Sequence, residues 1–377
     1  MRSRSNGGVI GAYALPTQNY ANGVFFIHDA AIYNTGPNPI WPLGTGFIYS
    51  ATGGTIGTAT DNANYKTHTF TANGTFTVVN GSGQLEILLV GGGGSGGIIK
   101  NNSGTQISSL VSGGGGGGGV TVVSTWVEPG TTFTVTVGQG AVVNTTSDTG
   151  IDAIPGGNSI VESNRGHSYS AGGGGSATGI IRVGTITRTR NGTAGASGAG
   201  GSAYGSSSGG YVPTATNVVA PQLGNNGGTY DITTSSVTYQ AGGGGGGAMG
   251  VGKPGLYGFT VAQSGYGGDG YLWPRTNSYY GAGGAGARGY FWCASNGVTP
   301  GTRARPGLCG PADTAATQTA GHGGAPTTTS ATSPGTVGFA GYGGGGGGSI
   351  IPDATTTSIT YLGSGGGGAV IFCYRYQ

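Results

Sequence analysis

Gly113-Gly114-Gly115-Gly116-Gly117-Gly118-Gly119 is an unbroken glycine run that leads straight into Val120-Thr121-Val122-Val123. Glycine loses more backbone freedom on ordering than any other residue. A folded chain keeps such a run only where side chains cannot be accommodated. An extended polyproline-II helix makes no internal hydrogen bonds, so a buried one must satisfy its N–H and C=O groups through neighbours. Bare glycine lets those neighbours come close enough. The run is therefore read as a polyglycine-II rod of about 22 Å, hydrogen-bonded laterally to others like it. Gly91–Gly94, Gly172–Gly175, Gly242–Gly247, Gly343–Gly348 and Gly365–Gly368 are further rods. The shorter pieces Gly198–Gly201, Gly265–Gly270, Gly281–Gly286 and Gly321–Gly324 bring the expected bundle to roughly ten.

Glycine supplies 91 of 377 residues, a composition that usually means disorder. Three features oppose that. Hydrophobic residues make up 35% of the chain, with 20 Tyr, 10 Phe and 4 Trp. The glycines form pure blocks rather than a smear with serine. Several separators alternate apolar and polar residues as strands do. Collagen is excluded, because no sustained Gly-X-Y period exists. Only 7% of residues are charged, for a net charge of +3. Arg-Gly pairs occur only at Arg165–Gly166 and Arg288–Gly289, too few for an RGG-type RNA binder. No nucleic-acid partner is expected. A surface of Ser, Thr, Asn, Tyr and Gly is the palette of adaptable binding surfaces. No apolar stretch approaches the roughly 18 residues of a membrane span. Met1-Arg2-Ser3-Arg4-Ser5 has no hydrophobic core behind it, so it does not read as a signal peptide. A binding-type surface without a secretion signal points to release by lysis.

The expected fold class is mostly β with polyglycine-II helices and almost no α-helix. Residues 1–50 carry no glycine run and read as a docking or oligomerisation segment, with one short helix over Val24–Tyr33. Residues 51–90 form a β region: strands Lys66–Val79 and Gln84–Val90 around a Gly81-Ser82-Gly83 turn. Residues 91–377 form the glycine-rich bundle. Within it, Val120–Val127 and Thr132–Val137 read as a hairpin around Glu128-Pro129-Gly130, and Ala369–Tyr376 as a last buried strand. The rods are short and alike while the connections vary widely, so the connections read as loops on a rigid scaffold, where recognition usually sits.

Thr67-His68-Thr69-Phe70, Gly74-Thr75-Phe76-Thr77-Val78 and Leu85–Gly94 together resemble the glycine-rich domain of many phage tail proteins. So do Glu128–Gly138 and the closing glycine run with its strand. The opening Gly8-Val9-Ile10-Gly11, Gly23-Val24 and Trp41-Pro42 are similar to the N-termini of marine phage tail-fibre proteins. The rod-and-loop plan is similar to the distal adhesins of T-even-like phages. The resemblance implies a virion protein at a tail or tail-fibre end that binds a host cell-surface receptor, protein or glycan. It also implies other virion tail proteins as partners through residues 1–50, and a homo-oligomer with a trimer as the expected symmetry. A surface-glycan depolymerase and a purely structural spacer or decoration protein are the rival readings.

No catalytic constellation stands out, so the chain reads as no enzyme, with no cofactor and no metal. His28, His68, His167 and His322 have no metal-ligand spacing. Glu162, Asp148 and Asp152 share one excursion, but nothing pairs them for acid/base work. Asp269 reads as a turn carboxylate rather than a calcium ligand, since calcium takes six to eight oxygens. Cys293 and Cys309 bracket a loop that a disulfide would stabilise by about 3 kcal/mol, though assembly in a reducing cytosol leaves the pair open. Cys373 reads as a buried free thiol. Aromatic and arginine side chains are the usual anchors of recognition. Trp273, Tyr279, Tyr280, Trp292, Arg303 and Arg305 are the expected receptor-binding set, with Tyr266 and Tyr290 packed inside.

Overall fold

The structure, a computed structural model, describes residues 47–97, 99–102, 110–142, 154–177, 180–183, 186–189, 192–202, 223–229, 231–232, 240–258, 261–263, 265–287, 335–351, 358–360 and 363–377. Among them none is helical and strands are plentiful. The expected segment over Val24–Tyr33 and the rod at Gly321–Gly324 lie outside the described residues.

Ten strands build two open antiparallel sheets. They are β1 (Ile48–Thr52), β2 (Thr55–Thr58), β3 (Tyr65–Phe70), β4 (Gly74–Gly81), β5 (Gly83–Val90), β6 (Val120–Val127), β7 (Thr132–Thr136), β8 (Ser159–Ser163), β9 (Ser168–Ala171) and β10 (Ala369–Arg375). One sheet runs β1-β4-β7-β8-β9 and the other β2-β3-β10-β5-β6. Their facing sides share one core, centred on Phe76, Phe133, Phe372, Leu85, Ile87 and Tyr374. Phe76 and Phe372 stack across it with ring centroids 4.2 Å apart.

Two sequence expectations change here. The single strand expected over Lys66–Val79 is broken at Thr71-Ala72-Asn73, and its halves lie in different sheets. The cause is the turn, where the Asn73 side-chain oxygen accepts from the Val137 N–H at 2.9 Å and the chain crosses the sandwich. The hairpin expected around Glu128-Pro129-Gly130 is an arch instead. β6 pairs with β5, while β7 pairs with β4 and β8. Gly130, at φ 79°, makes the tight reversal that a side chain would resist.

The second sheet is apolar on both faces, which is why Leu85–Val90 and Ala369–Tyr374 show little alternation. Its outer face, with Leu88, Val90, Val120, Ile371 and Cys373, is covered by Ala248, Trp273 and Tyr280.

The sheet ladders pass directly into the glycine segments. Val90 pairs with Val120 at the end of β5–β6, and the next bond runs from the Gly91 N–H to the Gly119 carbonyl at 3.0 Å. Beyond that point the bonding pattern has a period of three. Gly115 and Gly118 donate to Gly346 and Gly343, Gly114 and Gly117 to Gly243 and Gly246, and Gly116 and Gly119 to Gly175 and Gly172. Segment 112–119 also accepts bonds from 91–97, 197–202 and 281–287, so it is ringed by six others. Segments 91–97 and 242–248 are ringed in the same way. These segments are the nearest to pure glycine because every lateral direction holds another backbone. A Cβ on Gly116 would collide with the Ser197 carbonyl, and one on Gly117 with the Gly281 carbonyl.

Perimeter segments such as 265–270 carry their large side chains on outward positions. In 265–270 the glycines are buried, while Tyr266 and Asp269, three residues apart, are exposed. The packed-in position expected for Tyr266 is therefore corrected: it is 46% exposed. Several perimeter segments hold too little glycine to be seen as runs, among them 138–142, 154–158, 223–229, 249–255 and 335–341. Their inward glycines, such as Gly224 and Gly227 or Gly335 and Gly338, recur every third residue.

Candidate functional site

The molecule has two distinct ends. At one, β5, β6, β7, β8, β9 and β10 each join a glycine segment, so the sandwich caps the array. The hairpin of Tyr271–Trp273 and Ser278–Tyr280 sits at the same end. At the other end, buried serines tie the segments together. Ser112 Oγ donates to the Gly97 carbonyl at 2.7 Å, Ser349 N–H donates to Ser112 Oγ at 2.7 Å, and Gly113 N–H donates to Ser202 Oγ at 3.1 Å. Short strand pairs follow there. Ile186–Thr189, Ile180–Val183, Ile99–Asn102 and Ser358–Thr360 form a four-stranded sheet in that order.

The hairpin is where the expected receptor-binding aromatics fall, and its packing corrects their placement. Trp273 is 1% exposed and Tyr280 3%. The Trp273 indole N–H donates to Glu86 Oε1 at 2.8 Å. Arg275 bonds Glu86 Oε2 at 3.2 Å and Asp61 Oδ2 at 2.9 Å, and its guanidinium lies 4.3 Å from the Tyr65 ring centre. Burial opposes the charge on Arg275, but the charges of Glu86 and Asp61, the Cys373 thiol and the Glu86 hydrogen bond together outweigh it and raise the pKa. Tyr280 stacks on Tyr342 and shares a hydroxyl bond with Thr276 at 3.0 Å; burial raises its pKa. Tyr279 is half-buried and packs on Ala282. The physical reason is the doubly apolar second sheet, whose outer face needs a large aromatic cover. Trp292, Arg303, Arg305, Cys293, Cys309 and Tyr290 lie outside the described residues. Sequence reasoning missed Glu86, a carboxylate inside an apolar strand, which is the anchor of the whole cluster.

His68 is fully buried; its Nδ1 lies 2.6 Å from the Gly53 carbonyl and its Nε2 3.1 Å from Tyr374 Oη. A carbonyl only accepts, so Nδ1 carries the proton and Nε2 accepts from the tyrosine. Burial lowers the pKa of His68, with the Gly53 bond partly opposing and Lys66 adding to the fall. Burial pushes the Tyr374 hydroxyl up to about 12 and the Cys373 thiol up to about 12. Cys373 is a buried free cysteine. His167 stacks on Tyr169 beside the β8–β9 turn, and Glu162 is exposed on β8. His28, His322, Asp148 and Asp152 lie outside the described residues. Among the described residues no three His, Cys, Asp or Glu side chains gather as metal ligands. No helix there is long and apolar enough to cross a membrane.

The family model of the glycine-rich domain matches residues 67–375, from within β3 to the end of β10. The chain belongs to the glycine-rich domain family. The match takes in the sandwich and the array together, so the glycine-rich domain here is one interleaved unit. Its sheets draw strands from both sides of residue 90 and from the last residues of the chain. A search among curated proteins gives no match.

Proposed function

We propose that this glycine-rich domain protein is a bundle of polyglycine-II rods serving as a phage virion component. It stands at a tail or tail-fibre end and attaches the particle to a host cell-surface receptor. The observation that carries the reading is the three-residue period of lateral hydrogen bonds through 112–119. A left-handed helix of three residues per turn sends successive N–H groups in three directions. Such a bundle resists deformation, because each buried rod is bonded on all sides. A rigid stalk suits adhesion better than catalysis, and the protein acts without enzymatic chemistry.

The sandwich end faces the particle, where residues 1–50 hold the other tail proteins and the copies of the chain together. The serine-tied end faces the host. Trp292, Arg303 and Arg305 follow Ala287 in the chain, and Ala287 bonds Ser112 at that end. They replace Trp273 and Tyr280 as the receptor contacts. The test is competition of phage adsorption to host cells by purified protein. Wild type competes, and the Arg303→Ala/Arg305→Ala variant competes about tenfold less well, as loss of a binding anchor would cause. Absence of competition by wild type makes the protein a structural spacer. New reducing ends on host polysaccharide make it a depolymerase.

A further inference from the structure

Segment 363–368 lies on the perimeter of the array, between 138–142 and 335–341. Its N–H groups leave in three directions. Gly366 donates inward to Gly344, and Gly365 and Gly368 donate sideways to Ala141 and Gly138. The third direction belongs to Ser364 and Gly367, whose N–H groups have no partner among the described residues. Both residues are part-exposed. On segment 265–270 the outward positions carry side chains, Tyr266 and Asp269. Here one of the two is glycine. A Cβ on Gly367 would meet nothing nearer than the Gly138 carbonyl oxygen at 3.9 Å, and its φ is not in the left-handed region. Nothing among the described residues requires glycine at this position. Beside the bare strip stands a ridge of Val337 and Phe339, 60% and 50% exposed.

At enclosed positions of the array, such as Gly116, Gly224 and Gly338, glycine stands where another backbone passes. We propose that the strip at Ser364 and Gly367 docks one further extended, glycine-spaced polypeptide segment supplied by a partner protein. These two N–H groups, without a partner among the described residues, are one helical turn apart, about 9.3 Å for polyproline-II geometry. A partner chain of the same geometry brings carbonyls to both, with Phe339 flanking it. The size of the strip selects this occupant. Six residues span about 18 Å, and two inter-chain spacings give a width of about 10 Å. That is far below the roughly 800 Å² per partner of a stable folded interface, and it matches a single extended chain. The inference rests on the rod reading above but not on any receptor role.

The probe is an N-acetylated, C-amidated, fluorescein-labelled (Gly-Gly-Pro)4 peptide, in which proline favours the extended helix and leaves glycines free. Fluorescence polarisation with the full-length protein should show saturable binding. Gly367→Phe and Ser364→Phe should each weaken it about tenfold or more by filling the strip, while melting stays at the wild-type temperature. Absence of peptide binding by wild type overturns the proposal. A lowered melting temperature in Gly367→Phe shows that the fold itself needs the glycine, and this also overturns it. Sedimentation showing a dimer that both variants abolish assigns the strip to a second copy of this chain and rejects the partner segment. Failure of the rod reading is recognised separately: Gly116→Val would then melt like wild type.

Discussion

Whether a glycine tolerates a side chain depends on its direction in the array. Gly116→Val places a branched side chain against the Ser197 carbonyl in the most enclosed segment. Overpacking here cannot be relieved by a rotamer change, because the obstacle is backbone on every side. The expected outcome is insoluble protein or a melting temperature lower by about 10 °C or more, read by thermal unfolding. Gly367→Ala, outward, should melt like wild type. Equal melting of Gly116→Val and wild type would remove the packing argument. His68 makes a separate prediction. Burial lowers its pKa in the folded state, so the unfolded chain takes up the proton first as pH falls. Its stabilising contribution is complete above the ordinary histidine value of about 6.5 and is lost as pH falls through the depressed folded value. Melting should therefore drop from pH 8 to pH 5 more in wild type than in His68→Gln. Parallel curves for the two proteins would show that His68 does not titrate the fold.

The hairpin of Tyr271–Trp273 and Ser278–Tyr280 joins sandwich to array. Trp273 fills the outer face of the second sheet, and its indole N–H and Arg275 satisfy Glu86 on both carboxylate oxygens. Trp273→Ala opens a cavity and leaves Glu86 short of one donor. A loss of about 3–5 kcal/mol is expected, measured by denaturant unfolding, with adsorption unchanged once the protein is folded. Full stability with lost adsorption would return Trp273 to the recognition surface. Residue type alone did not distinguish these roles, because a buried cover and a binding anchor use the same aromatic side chains. Direction was the missing information, and only the pairing of Glu86 with Trp273 across the fold supplies it. Strand positions were legible: Gln84–Val90, Val120–Val127 and Ala369–Tyr376 all lie on observed strands within a residue or two. Their sheet membership was not, because an arch and a hairpin both need a Pro-Gly turn. The runs at 91–94, 113–119, 242–247 and 343–348 were legible as buried segments. Perimeter segments such as 335–341 hid behind Val337 and Phe339, although Gly335 and Gly338 kept the period of three.

At the scale of the whole molecule, the fold is closed by its first and last described strands. β10 lies in the middle of the second sheet, while β1 and β2 form one edge of each sheet. Ile48 of β1 is fully buried in the shared core, and Ala51 packs beside it. Gly53, in the turn between β1 and β2, supplies the carbonyl that fixes His68. A chain starting at Phe47 keeps all of this and should melt within a degree or two of the full-length protein. A chain starting at Tyr65 loses both edge strands, the His68 acceptor and the burial of Ile48, worth about 1.5–3 kcal/mol for that side chain alone. It also uncovers the β3 and β4 edges, and an unprotected edge invites association. The Tyr65 start should therefore melt far lower or aggregate, as followed by light scattering during thermal unfolding. If it stays monomeric and melts with the Phe47 start, β1 and β2 are ornaments. The folding unit would then be the 67–375 span that the family match covers.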